Sequence, residues 1–147
     1  MKRIKICILS FLLMAAFLTG CGDQTGLQDG YYTAQAADFS HGWKEYITIM
    51  VKGGSIVSVE YNAENPSGFI KSWDNAYMQT MLHSNGTYPN EYTRYYASQL
   101  LEDQGADSIY AINGASSSHA SFQILAAAVL EQARQGDSSI IVVDTSH

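Results

Sequence analysis

The residue types best suited to chemistry stand together in Asn113-Gly114-Ala115-Ser116-Ser117-Ser118. Two small residues allow a ligand to approach the main chain, and three hydroxyls follow where a helix is predicted to begin. The first turn of a helix carries N–H groups without intrahelical partners and the positive end of the backbone dipole, so the arrangement suits an anion such as a phosphate. The competing reading is structural: serine is a preferred N-cap, and Ser117 or Ser118 could close the helix by itself. From residue types alone, the cap is the ordinary explanation. Ser116 with His119 suggests nucleophilic catalysis, but no oriented third group and no nucleophile-elbow pattern accompany the pair. No catalytic residue and no enzyme activity are expected. His41, His83, His119 and His147 are not spaced as a helical metal site would be, so no metal is expected either. Trp43, Trp73 and the Tyr92, Tyr95, Tyr96 group could stack on a flat ring, although most of the 10 tyrosines must serve as core and rim.

An α+β domain must position these groups. Gly30–Ala36, Lys44–Val51 and Ile56–Tyr61 read as strands. The last two are joined by Lys52-Gly53-Gly54-Ser55, whose paired glycines supply the positive φ of a tight hairpin turn. Strict pairing across it sets Met50 against Val57, Thr48 against Val59 and Tyr46 against Tyr61 on one face. The other face then holds Ile47, Ile49, Val51 and Ile56 together with Ser58 and Glu60. Asn62–Lys71 reads as a loop. Trp73–Leu82 and Glu91–Asp103 have helical spacing, the second with a stripe of Tyr92, Tyr95, Tyr96, Gln99 and Leu100. Ser108–Ile112 is predicted as a short strand leading into the hydroxyl cluster. A third helix follows, marked by Phe122, Leu125, Ala126, Val129, Leu130 and Ala133 and closed by Gly136, with Gln123, Glu131, Gln132 and Arg134 on its polar face. Ile140–Val143 is the last predicted strand. The sum is an antiparallel hairpin sheet with about three helices packed on it, in a single domain.

The chain has 147 residues, enough for one ordinary domain. Hydrophobic residues at 46% and charged residues at 15% argue for a packed core. A net charge of −6 offers no basic footprint for a nucleic-acid backbone, so nucleic acid is not an expected partner. Lys2, Arg3 and Lys5 precede the apolar run Ile6–Leu18, which has the layout of a secretory signal peptide and is too short to span a bilayer. Leu18-Thr19-Gly20-Cys21 then resembles a bacterial lipobox, in which small residues precede a cysteine that is lipidated and becomes N-terminal after cleavage. This likeness implies a signal peptide over residues 1–20, a lipidated tether over 21–28 and a folded domain over 29–147. Paired acyl chains of the palmitate type on Cys21 would supply two-chain attachment to a membrane. The expected location is the extracytoplasmic face of a bacterial cell membrane. Loss of Lys2, Arg3 and Lys5 leaves 5 basic side chains against 14 acidic ones, a net charge of −9, and no free thiol for a disulfide or thiolate metal site.

Beyond the tether, the chain resembles the FMN-binding domain family, known from the flavin subunits of sodium-translocating quinone reductase and Rnf complexes and from lipoproteins of extracellular electron transfer. The likeness covers roughly residues 29–135, the span of one domain. That family closes its domain with a Ser-Gly-Ala-Thr type motif, further Ser or Thr residues and a helix, an order that Asn113-Gly114-Ala115-Ser116-Ser117-Ser118 follows. Asp29-Gly30-Tyr31-Tyr32-Thr33, His41-Gly42-Trp43-Lys44 and Val51-Lys52-Gly53-Gly54-Ser55-Ile56 are similar to its opening hairpins. The resemblance implies FMN with its phosphate held or bonded at Ser116, surrounded by Asn113, Gly114, Ala115, Ser117 and Ser118. An aromatic such as Trp43 or Trp73 would shield the ring. In such proteins a flavin transferase can attach FMN to the motif's terminal hydroxyl. Here that hydroxyl is Ser116 rather than Thr, Asn113 replaces a small hydroxyl residue, and Tyr110 stands where an acidic residue usually lies six places before the acceptor. Covalent and reversible FMN both stay open.

The function implied is that of a lipid-anchored electron-transfer carrier without substrate turnover of its own. Its partners would be the membrane, a flavin transferase and a membrane reductase or quinone-linked electron donor. The altered Asn113, Ser116 and Tyr110 positions motivate a second reading, a degenerate family member acting as a cell-surface binding module. An acidic surface with aromatics such as Tyr92 and Tyr96 would then hold a glycan or a protein.

Overall fold

The computed structural model describes residues 26–146. The expected signal peptide, the lipidation of Cys21 and the first part of the tether lie outside them, as does His147. Strands β1 (Gly30–Ala36), β2 (Lys44–Lys52) and β3 (Ser55–Glu64) come first. A 3₁₀ turn over Lys71–Trp73 leads to helices α1 (Asn75–Asn85), α2 (Pro89–Asp103) and α3 (Ser116–Gln135), and β4 (Ile141–Val143) follows. The sheet order is β3-β2-β1-β4. The fold is the expected α+β arrangement, with α2 packed on β3 and α3 on β1 and β2.

The sheet is not wholly antiparallel. β4 pairs with β1 in parallel, Ala34 opposite Ile141 and Ala36 opposite Val143. The route of the chain dictates this. β2 occupies one edge of β1, and α3 carries the chain back against the direction of β1, so the strand that follows runs with β1 on its free edge.

The hairpin turn forms as predicted, with Gly53 and Gly54 at φ 63° and 76°, values that a side chain would strain. Its register does not persist. Lys52 opposes Ser55 and Val51 opposes Ile56, but Met50 then faces Ser58 instead of Val57. The extra residue is a bulge that leaves Val57 46% exposed. From there Val59 pairs with Ile49 and Tyr61 with Ile47, while Ser58 and Glu60 turn to solvent. The expected sides of β3 are therefore exchanged. Strict pairing would have put Ser58 and Glu60 under the helices, and one bulged residue moves three apolar side chains, Val59, Tyr61 and Ala63, there instead.

Fully buried Ile47, Ile49, Leu100, Phe122, Leu125 and Val129 form the centre of the core. Aromatic rings close it: Tyr61 meets Phe122 edge-on at 5.0 Å, and Tyr96 stacks on Phe122 at 5.3 Å. Tyr92 and Tyr96 are 1% and 0% exposed, so they belong to this core and cannot form the aromatic surface that a binding module would need. The stripe of α3 is buried as predicted and ends at Gly136 in the left-handed region. Gln132, expected on its polar face, is buried as well.

Ser108–Ile112 is not a strand. The Ile112 N–H donates to Tyr96 Oη at 3.1 Å, and the Ile109 carbonyl accepts from His119 Nε2 at 2.7 Å. Side chains from α2 and α3 thus satisfy backbone groups that a neighbouring strand would otherwise have met. His119 is spent on this structural bond.

Candidate functional site

A cavity of about 860 Å³ opens at the N-terminal end of α3, within the size range of cofactor pockets. Ala115 is the N-cap of α3, and no side chain caps the helix. Ser117 and Ser118 therefore do not play the structural part that serine plays at most such ends. The first N–H groups of a 20-residue helix, with the positive end of its dipole, are left available to solvent or a ligand. The turn is held from behind by core tyrosines. Tyr61 Oη donates to the Ser118 carbonyl at 2.8 Å and Tyr96 Oη to the Ala115 carbonyl at 3.3 Å. Ser116 and Ser117 remain exposed and Ser118 is buried, and all three line the cavity.

Lys71, from the 3₁₀ turn, is 8% exposed and also lines the cavity. Its ammonium lies 5.4 Å from the ring centre of Tyr77 and 5.9 Å from that of Tyr92. Burial lowers its pKa, and the Glu45 carboxylate works in the opposite direction. Asn62 fixes the turn that carries it, donating from Nδ2 to Ser72 Oγ at 2.8 Å. Tyr92 Oη is buried beside the Ser118 hydroxyl, without a hydrogen bond of good geometry. Burial pushes this phenol up, while the neighbouring Ser118 side chain pulls it back part of the way. A buried hydroxyl without a well-formed hydrogen bond costs about 1–3 kcal/mol.

Part of the lining is apolar. Trp43 meets Tyr77 edge-on at 5.8 Å, with Met81 beside them in the lining. Helix α1, which brings Tyr77 and Met81, has no fully buried residue. The β1–β2 connection and the segment after β4 complete the rim with Asp38, His41 and Asp144.

Of the residues singled out from the sequence, Gly114, Ala115, Ser116, Ser117, Ser118, Trp43, Tyr92 and His41 meet in this cavity, whereas Tyr95 and Tyr96 are not in its lining. Asn113 is exposed and does not line it; Trp73 at 66% and Tyr110 at 78% exposure stand on the outer surface. Gly114 has a different role from the one expected. At φ 87°, a Cβ on it would run into the Asn85 carbonyl oxygen, so its small size admits α1 rather than a ligand. Ala115 packs in the core. Lys71, Tyr77 and Glu45 were not foreseen. The only trace of Lys71 in the sequence is its rarity, a cation between a Gly/Pro/Ser loop and a tryptophan in a chain poor in cations.

No family model matches the chain. It is 33% identical over 133 residues to the 15 kDa lipoprotein of Treponema pallidum (strain Nichols), covering 90% of this chain and 94% of that one. The crystal structure of a protein from Clostridium perfringens matches with a TM-score of 0.77 and 36% identity, over 80% of this chain and 98% of the other. A solution NMR structure of a Clostridium thermocellum protein matches with a TM-score of 0.50 and 29% identity, over 73% and 92%. Among the described residues, no helix is long and apolar enough to cross a membrane.

Proposed function

The chain belongs to the family of the 15 kDa lipoprotein of Treponema pallidum, and we propose that it is a membrane lipoprotein, anchored through lipid on Cys21, whose cavity at the start of α3 holds FMN. One observation carries the reading: an uncapped helix N-terminus with the exposed Ser116 and Ser117 hydroxyls opens into the same cavity as a buried lysine. An anion site and an aromatic wall within about 860 Å³ fit a molecule with a phosphate at one end and a flat ring at the other.

Ser116, Ser117 and Ser118 would hold the phosphate through hydroxyls and backbone N–H groups, which are strongest toward a charged acceptor. Trp43, Tyr77 and Met81 would cover the ring and keep water from one side of it. Lys71 adds positive charge in a poorly hydrated setting, where a fixed charge acts strongly on a neighbouring group. Tyr92 Oη, buried beside Ser118, gains a well-formed hydrogen bond if that hydroxyl turns on ligand binding. When bound, FMN supplies reversible electron transfer, and the protein contributes position, exposure and local charge. The protein is then an electron carrier on the outer side of a bacterial membrane, loaded by a flavin transferase or by free FMN and reduced by a membrane reductase. No substrate turnover is assigned to it.

The test is spectroscopic. Mature protein made with and without a flavin transferase is examined for flavin absorbance and intact mass. Yellow protein in either preparation supports the reading, with an added mass after denaturation marking a bond to Ser116. Protein colourless in both, and unable to take up added FMN, overturns it.

A further inference from the structure

The described chain begins at one pole of the domain, and the cavity lies at the other. The Gln28 N–H donates to the Ala133 carbonyl at 2.8 Å and Gln28 Nε2 to the Arg134 carbonyl at 3.0 Å, which fastens the incoming chain to the C-terminal end of α3. The Gln28 side-chain amide also lies against Gly136. Asp29 accepts from the Gly54 N–H at 3.0 Å, adding the β2–β3 turn to the same pole. Tyr32 Oη closes the attachment with a 3.0 Å bond to the Gln28 carbonyl.

Helix α3 and strands β1 and β4 connect that pole with the cavity. Ser117, at the start of α3, lines the cavity, and the rise to Ala133 is about 24 Å at ~1.5 Å per residue. Strand β1 leaves the tether pole at Gly30, opposite Val51, and reaches the cavity lining at Ala36, about 20 Å away at ~3.3 Å per residue. Strand β4 runs the same way and delivers Asp144 to the rim. The covalent chain from Cys21 to Gly26 can span at most about 18 Å. The tether pole is thus confined near the membrane surface, with the length of the domain between it and the cavity.

From this geometry we infer that the cavity opens away from the bilayer and is reached only from the aqueous side. Its partner is therefore water-borne, or presents its reactive group in water, and is not a quinone dissolved in the membrane. The inference rests on the Cys21 anchor proposed above and does not depend on FMN.

The mature chain has no cysteine besides Cys21, so Ser40→Cys on the rim and Lys52→Cys at the hairpin turn each give a single labelling site. Both positions are exposed. Lipidated full-length protein carrying either fluorophore is placed on phospholipid vesicles containing spin-labelled lipids, and its intact mass is read from the same sample. The expected result is quenching by lipid at least several-fold stronger at position 52 than at 40, and stronger quenching by aqueous iodide at 40. Equal lipid quenching, or stronger quenching at 40, with the lipid mass present overturns the orientation alone. Absence of the lipid mass overturns the anchor, and the orientation with it.

Discussion

Asn85 and Gly114 join two walls of the cavity: the Asn85 side-chain amide donates to the Gly114 carbonyl at 3.3 Å, while the Gly114 Cα lies against the Asn85 carbonyl oxygen with no room for a Cβ. The end of α1 and the loop before α3 are thereby set side by side, and with them Tyr77 and Met81 of α1 and the serines that open α3.

Gly114→Ala should therefore act on both stability and the site. The added methyl meets the Asn85 carbonyl at a positive φ, and we expect a loss of about 2 kcal/mol or more in urea unfolding. Asn85→Ala, which removes two exposed hydrogen bonds, one to the Gly114 carbonyl and one from Ser84 Oγ, should cost less than about 1 kcal/mol. Equal costs for the two would contradict the packing described.

Lys71→Met should weaken FMN binding about tenfold or more while leaving the fold intact, because it removes the buried ammonium that lies against Tyr77 and Tyr92 and keeps an unbranched apolar side chain in its place. Lys71→Arg should recover part of the affinity. Fluorescence titration measures both, and unchanged affinity in Lys71→Met would remove this residue from the site.

The alkaline limb of stability should report the buried phenols. Tyr61 and Tyr92 are held above their ordinary 10.0 chiefly by burial, so the folded protein keeps protons that the unfolded chain releases. The unfolded state then binds fewer protons, and stability must fall as pH rises past about 10. Lys71 has the opposite sign. Its folded value lies below 10.5, so its charge penalty is fully present at lower pH and is relieved as pH climbs from the folded value towards 10.5. At neutral pH, Tyr92→Phe should be neutral or mildly stabilising because its hydroxyl makes no hydrogen bond of good geometry, whereas Tyr61→Phe should cost about 1 kcal/mol through the bond to the Ser118 carbonyl.

Deleting residues from β3 tests the bulge. Removal of Val57 leaves every other residue opposite its present partner, so a folded protein is expected. Removal of Glu60 turns Tyr61 and Ala63 to the wrong face and should abolish cooperative unfolding. Circular dichroism melts of the two variants decide between these outcomes.

Local features of the fold are legible in the sequence, since they depend on neighbours along the chain. The Gly53-Gly54 turn, the α3 stripe from Phe122 to Ala133 and the Gly136 stop follow from glycine stereochemistry and helical period. The bulge at Val57 does not, because it is decided by what Ser58 and Glu60 would meet across the sheet. Ser108–Ile112 has the composition of a strand but ends beside Tyr96 and His119, whose side chains take its hydrogen bonds. The same limit applies to the site. Ser116–Ser118, Trp43 and Tyr92 could be picked out by type, whereas Lys71 and Tyr77 enter the cavity only once α1 and the turn after β3 are packed together.

The central claim is that FMN occupies the cavity by its phosphate and ring together. Titration of the mature protein with FMN and, separately, with riboflavin tests it most directly. We predict one FMN per chain with a Kd of about 1 μM or tighter, riboflavin weaker by about tenfold or more for want of the phosphate, and loss of that preference in a Ser116→Ala/Ser117→Ala double variant. Equal affinity for the two flavins, or no uptake of either, would contradict it.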